Sequence, residues 1–175
     1  MLRQFIKGSF VKIYKTNTNY IMPKIAKLIL CILLCLGVGF TASFFTINAI
    51  KTWFTTLNKP SFNPPNYLFG PVWTVLYILM GISLYYIITT THQLKNKALV
   101  LFVIQLFLNL WWSLIFFYWH NIGLALVDII LMWASIIACI YIFLRIKPVA
   151  AYLFIPYFIW VTFATALNVA IYFLN

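Results

Sequence analysis

The chain has 175 residues, of which 65% are hydrophobic and only 7% carry a formal charge. A water-soluble domain needs roughly a quarter of its residues charged to cover its surface, so lipid must surround most of this chain. The single acidic residue, Asp128, excludes paired-carboxylate catalysis and carboxylate metal cages. No glycine-rich phosphate loop occurs either, so we expect no metal site and no required cofactor.

The first 27 residues form a basic segment ahead of the first apolar run. We interpret it as a disordered N-terminal tail, and its position favours a cytoplasmic flank over a nucleic-acid-binding surface. We therefore expect no nucleic-acid partner. For residues 1–21, a dispensable tail, a true start near Met22 and a signal peptide all stay open.

Five apolar runs follow, and each is long enough to cross a membrane as a helix. A helix needs about 20 residues to cross the hydrocarbon core, whereas barrel strands would show alternating segments of about 10 residues. The sequence predicts an all-α membrane protein, a five-transmembrane-helix bundle over residues 28–174 with short loops and one longer proline-rich first loop. The predicted helices cover 28–50, 67–91, 98–119, 121–144 and 148–174.

The positive charges predict the orientation of this integral membrane protein. All of the 12 lysine and arginine residues except Lys51 and Lys59 fall on one predicted side. Cytoplasmic loops carry an excess of such residues, so we expect a cytoplasmic N-terminus and an outside first loop. We expect a bacterial plasma membrane and contact with its lipid.

Aromatic and amide residues recur at helical spacing in three of the runs. In each of these runs, the aromatic and amide residues share one predicted helix face. Three such faces could line one cavity for a flat apolar ligand. Ordinary helix packing would give the same spacing, with amides bonding between helices. The three sets are Trp73, Tyr77 and Leu84; Gln105, Asn109, Trp112 and Phe116; and Trp160, Phe163, Ala164, Leu167 and Asn168.

Two further features have more than one interpretation. Asp128 lies within the fourth run, where an ionised carboxylate is costly, so we expect a structural hydrogen bond to Ser113, Asn109 or an indole N–H. Ligand or proton handling is the alternative. Gly39 and Ser43 form a small-xxx-small pair, which predicts a close helix contact either within the chain or across a homodimer.

The first loop contains the most specific pattern. It reads W-x3-L-x-K-P-x-F-x-P-P from Trp53 to Pro65, with Trp73 eight residues later. Proline fixes its own φ and restricts the residue before it, so the loop is stiff. An interfacial aromatic belt with turn prolines is the simpler interpretation. Together with residues 105–113, Asp128 and Trp133, and residues 156–168, the loop resembles the translocator protein family, also known as TspO, tryptophan-rich sensory proteins or peripheral benzodiazepine receptors.

This resemblance implies a five-helix bundle, commonly dimeric, that binds porphyrins such as protoporphyrin IX or haem, sterols and drug-like ligands beneath the first loop. The implied function is porphyrin binding as a sensor or transporter. Light-dependent porphyrin breakdown, with Trp160 and Trp73 as candidate catalytic residues, is one alternative, and a structural subunit without a small ligand is another. The resemblance implies a lid formed by Pro60, Pro64 and Pro65 and ligand contacts from Trp53, Trp73, Tyr77, Asn109, Trp112, Trp160 and Ala164.

Overall fold

A computed structural model describes residues 23–175, and most of the predicted basic tail lies outside this range. This part of the chain is all-α and contains five helical segments that are long and apolar enough to cross a membrane. This confirms the predicted five-helix bundle and an integral membrane protein. The orientation in the membrane stays a prediction from the charges. The spans are Lys24–Lys51, Asn66–Thr89, Lys95–Tyr118, Ile122–Ile146 and Pro148–Leu174.

Within residues 23–175, six α-helices and two short segments build these spans, and a seventh α-helix lies in the first loop. The first loop contains a short helix and a 3₁₀ turn, Asn66–Leu68, and a π-helical turn, Leu114–Tyr118, ends the third span. In chain order the helices are α1 Lys24–Lys51, α2 Trp53–Thr56, α3 Phe69–Thr89, α4 Lys95–Ser113, α5 Ile122–Ile146, α6 Pro148–Tyr152 and α7 Ile155–Leu174.

Helix α1 begins at Lys24, one turn before the predicted start at residue 28. Pro23 precedes it in an extended conformation, and its carbonyl accepts the first helical hydrogen bond from the Lys27 N–H at 3.2 Å. Lysine is a good helix former, so the backbone helix extends beyond the apolar run that marked the membrane core. The apolar run therefore indicates the part inside lipid rather than the whole helix.

Two predicted helices are interrupted. The third span ends in a π turn, where the Trp119 N–H bonds the Leu114 carbonyl at 3.0 Å. The inserted residue turns three consecutive side chains, Ile115, Phe116 and Phe117, into the interior. The fifth span breaks between α6 and α7, because Pro156 has no N–H to continue the hydrogen-bond ladder. Both corrections concern local backbone rather than the number of spans.

The helices form a ring in the order α1, α3, α7, α5 and α4, with α4 back against α1. We call the end that carries α2, the turn at 119–121 and Asn175 the loop end, and the opposite end the base. A large apolar core fills the middle and the base, and a smaller cluster around Phe54, Phe116 and Leu167 lies at the loop end.

Two glycines set the distance between α1 and α3, one near the middle of the bundle and one closer to the base. A Cβ on Gly81 would lie 2.5 Å from the Ile32 Cα, and a Cβ on Gly39 would overlap the Tyr77 ring. Small residues let helix backbones approach closely in membranes. The Gly39 and Ser43 pair had two interpretations, a helix contact within the chain or one across a homodimer. Gly39 makes a contact within the chain, and the homodimer stays a prediction.

Candidate functional site

A cavity of about 530 Å³ lies at the loop end between α1, α3, α4 and α7. Its size falls within the range of roughly 300 to 1,000 Å³ that is typical of small-molecule sites. Most of its wall is aliphatic or aromatic. The principal lining residues are Leu36, Gly39, Phe40, Ser43, Thr46 and Ile47 of α1; Phe54; Asn66, Phe69, Gly70, Trp73, Thr74 and Tyr77; Trp112, Ser113, Phe116 and Phe117; and Trp160, Ala164, Leu167, Asn168 and Ile171 of α7.

Five of the seven predicted contact residues line this cavity: Trp73, Tyr77, Trp112, Trp160 and Ala164. They come from three different helices, so the three predicted faces meet at the cavity in part. Leu84, Gln105 and Phe163 of those faces do not line it. The rings of Trp73, Trp112 and Trp160 provide flat surfaces on which a planar ligand can stack.

Trp53 does not line the cavity. Its ring stacks on His120, with centroids 4.3 Å apart, and meets the edge of Phe116 at 5.4 Å. The expected contact is made instead by its neighbour Phe54, which is 3% exposed and forms the roof of the cavity. Consecutive helical residues point about 100° apart, and the turn of α2 that directs Phe54 to the cavity directs Trp53 toward His120.

Asn109 lies one layer behind the wall. It is 2% exposed; its Oδ1 accepts a hydrogen bond from the Tyr77 hydroxyl, and its Nδ2 donates to the Tyr157 hydroxyl at 3.2 Å. Both hydrogen-bonding ends of the amide are therefore engaged. Asn109 holds Tyr77 in place and does not reach the cavity itself.

Polar groups on the cavity wall mostly have partners of their own. The Trp112 Nε1 donates to the Asn168 Oδ1 at 3.0 Å, and the Asn168 Nδ2 donates to the Ile122 carbonyl at 3.3 Å. The hydroxyls of Thr46 and Thr74 donate to carbonyls one turn earlier. These hydroxyl oxygens can still accept a hydrogen bond, and the indole N–H groups of the other two wall tryptophans stay available as donors, but most of the wall is apolar. Ring contacts must therefore supply most of the affinity for a ligand.

A sequence profile of the TspO/MBR family matches residues 31–174. The chain belongs to the TspO/MBR family. It is 46% identical to the tryptophan-rich protein TspO of Chlorobaculum tepidum over 87% of this chain and 98% of that protein. The tryptophan-rich protein TspO of Archaeoglobus fulgidus is 45% identical, over 86% of this chain and 98% of that protein. The human translocator protein is 36% identical, over 76% of this chain and 80% of that protein.

The matched range contains every residue that lines the cavity, so the cavity belongs to the part of the chain shared with the TspO/MBR family. These comparisons confirm the resemblance that the first loop and the three helical segments indicated. They identify the family rather than the ligand.

The first loop of this TspO/MBR protein is fastened at two neighbouring residues. The Asn175 side chain accepts from the Asn58 N–H at 2.9 Å and donates to the Asn58 carbonyl at 3.0 Å. The Lys59 ammonium donates to the Phe54 carbonyl at 2.6 Å and lies over the Phe54 ring. The predicted lid prolines, Pro60, Pro64 and Pro65, follow these anchors and do not line the cavity.

Helix α1 provides the part of the wall that the sequence analysis missed. Leu36, Gly39, Ser43, Thr46 and Ile50 all line the cavity and recur every three or four residues. This spacing defines one helix face, and the hydroxyls of Ser43 and Thr46 on that face were the available signal. Asn66 and Phe69, which come directly after the lid prolines, were also missed.

Two buried polar residues of this TspO/MBR protein lie outside the cavity wall. Within residues 23–175, the Asp128 Oδ2 and both amide atoms of Gln105 have no hydrogen-bond partner. The expected bond from Asp128 to Ser113, Asn109 or an indole N–H is not formed there. The Trp112 and Trp133 indoles donate to Asn168 and Thr162 instead. In the same part of the chain, no group of His, Cys, Asp or Glu side chains could hold a metal ion.

Proposed function

We propose that this protein binds porphyrins and similar flat, largely apolar molecules in the cavity, with sensing or transport as the cellular output. The observation that carries the proposal is the position of Trp73, Trp112 and Trp160 around one cavity of about 530 Å³. Stacked aromatic contacts contribute roughly 0.5 to 1.5 kcal/mol each beyond the area they bury, and a planar macrocycle can use several at once.

The shape and chemistry of the wall support this ligand class. A ligand whose charge lay inside the cavity would lose hydration without gaining an ionic partner, because none of the described residues that line the cavity is charged. The human relative is named translocator protein, which favours transport as one output. Trp73 and Trp160 face the same cavity, and light-dependent breakdown of a bound porphyrin stays a prediction.

Titration with protoporphyrin IX tests the proposal. We expect saturable quenching of tryptophan fluorescence at one ligand per chain in purified protein held in lipid nanodiscs. Trp160→Leu removes one stacking ring and should raise Kd about 3-fold to 10-fold, since roughly 0.5 to 1.5 kcal/mol is lost. Trp111→Leu should leave Kd unchanged, because Trp111 is exposed on the outside of the bundle.

The control variant distinguishes a site from general partitioning. A porphyrin that merely dissolves in the lipid would quench both variants equally and without saturation. Unchanged emission from a folded wild-type protein, verified by circular dichroism, would remove porphyrin binding from the account.

A further inference from the structure

Three of the four helix seams around the cavity are closed by specific contacts. Across α3 and α7, Phe69 meets Trp160 and Trp73 meets Tyr157, both with ring centroids 6.1 Å apart. Across α4 and α7, the Trp112 to Asn168 hydrogen bond holds the wall together. Between α1 and the π turn, Phe45 meets Tyr118 at 5.8 Å. A molecule passing through any of these seams would have to separate rings or break a bond.

The roof is closed as well. Phe54 contacts Phe116 and Phe117, with ring centroids 6.2 Å and 5.9 Å apart. Above it, Asn58 is clamped by Asn175 and the Lys59 ammonium is bonded to the Phe54 carbonyl. Opening the loop would therefore break several hydrogen bonds at once, some of which also fix the end of α7.

The seam between α1 and α3 differs from the others. It is tight in the lower half, where Gly81 lies against Ile32, but its upper half is lined by residues that belong to the cavity wall and are also exposed. Phe40 is 66% exposed and Ile47 is 55% exposed. We call this opening the portal and define it by Phe40, Ser43 and Ile47 of α1 and Gly70 and Thr74 of α3.

The portal lies within the membrane-spanning part of the bundle. Ile47 and Phe40 precede Lys51, the last residue of α1. At about 1.5 Å per residue they lie about 6 Å and about 16 Å below it. Lipid tails rather than water therefore border the opening, and a flat apolar molecule would already be concentrated there.

We infer that the ligand reaches the cavity sideways from the lipid, through the portal between α1 and α3, while the first loop stays closed. This rests on the proposed function, since it concerns the same cavity. A ligand on this route breaks no hydrogen bond between helices and separates none of the ring pairs that close the other seams. The ligand is accordingly a membrane-dissolved molecule, and the loop acts as a fixed roof.

Stopped-flow fluorescence with protoporphyrin IX in vesicles tests the route. Thr74→Trp places a bulky side chain in the portal, and Val75→Trp is the matched control, because Val75 is exposed on α3 but lies outside the cavity wall. Obstruction of a route slows association and dissociation by the same factor and leaves Kd nearly unchanged. We expect Thr74→Trp to slow both rates about tenfold, which corresponds to 1.4 kcal/mol in the barrier.

A second pair on α1 covers the case in which Thr74→Trp does not fold. Ser43→Phe should slow both rates in the same way, and Thr41→Phe should not, since Thr41 is exposed and lies outside the wall. Asn175→Ala removes two of the three hydrogen bonds that join Asn58 to the end of α7, and we expect both rates to stay within about twofold of wild type.

The outcomes are distinct. Faster association in Asn175→Ala together with unchanged rates in both portal variants would show a route through the loop and overturn the inference. A raised Kd with an unchanged association rate in Thr74→Trp would make Thr74 part of the binding wall alone, which also contradicts a portal. Wild-type protein without saturable binding would remove the proposed function itself, and the portal with it.

Discussion

Ala164→Phe is expected to weaken protoporphyrin IX binding by roughly tenfold to a hundredfold. Ala164 lines the cavity one turn after Trp160 and leaves space between the aromatic walls. A phenyl group there would occupy part of the volume of about 530 Å³ that the ligand needs. Forcing extra atoms into a filled site costs about 1 to 3 kcal/mol, and each 1.4 kcal/mol is a tenfold change in Kd. Equilibrium titration followed by tryptophan fluorescence measures the change.

Ala166→Phe is the matched control for this substitution. Ala166 lies two residues further along the same helix and is exposed. The same change in residue type should leave Kd within about twofold of wild type, because the added ring meets lipid. Equal affinities for the Ala164 and Ala166 variants would place the ligand somewhere other than the cavity.

Gly81→Ala is expected to lower the free energy of unfolding by about 1 to 3 kcal/mol, the usual cost of overpacking a tight contact. The new Cβ would lie 2.5 Å from the Ile32 Cα and 2.9 Å from the Cys31 carbonyl oxygen. Both neighbours are backbone atoms of α1, so no side chain can turn aside to make room. Helices α1 and α3 would have to separate. Unfolding by a denaturing detergent, followed by circular dichroism, measures the loss.

Gly37→Ala provides the comparison. A Cβ on Gly37 meets nothing within 4 Å, so this change should raise stability by about 0.5 to 1 kcal/mol through the helix preference of alanine. The opposite signs at two glycines would show that the contact between α1 and α3 matters rather than glycine itself. A Gly81 variant as stable as the Gly37 variant would mean that the helices are not in close contact.

The number of spans could be predicted from the sequence because lipid imposes one requirement on every crossing helix. A run of about 20 apolar residues is enough to show a span. The interruptions were not predictable in the same way. The π turn at Leu114–Tyr118 inserts one residue without any proline or glycine to mark it. Pro156 did mark the break before α7, but proline is also tolerated near the start of an uninterrupted helix.

The candidate site was predictable from the sequence where the face of a regular helix decides which residues line the cavity. Trp73, Tyr77, Trp112, Trp160 and Ala164 follow helical spacing and line the cavity. Trp53 and Asn109 do not, for different reasons. Trp53 lies on a short helix inside a loop, where spacing gives no direction, and its ring packs on His120. Asn109 lies on the inward face of α4, but the Tyr77 side chain stands between it and the cavity.

Trp53 and Asn109 illustrate one physical limit of reasoning from helical spacing. Periodicity tells which side of a helix faces the interior, but the length of the side chains from neighbouring helices decides which residue reaches the ligand. Helix α1 shows the converse, because its wall residues are mostly small or aliphatic, and the sequence indicated only a helix contact for Gly39 and Ser43. Three-dimensional packing was needed to place Ser43 and Thr46 in the wall.

An experimental structure of the protein with protoporphyrin IX bound tests the central claim most directly. We predict density for the macrocycle inside the cavity, in contact with Trp73, Trp112 and Trp160, and beneath an unmoved first loop. Density for the porphyrin on the outer surface of the bundle, with the cavity unfilled or collapsed, would contradict the account.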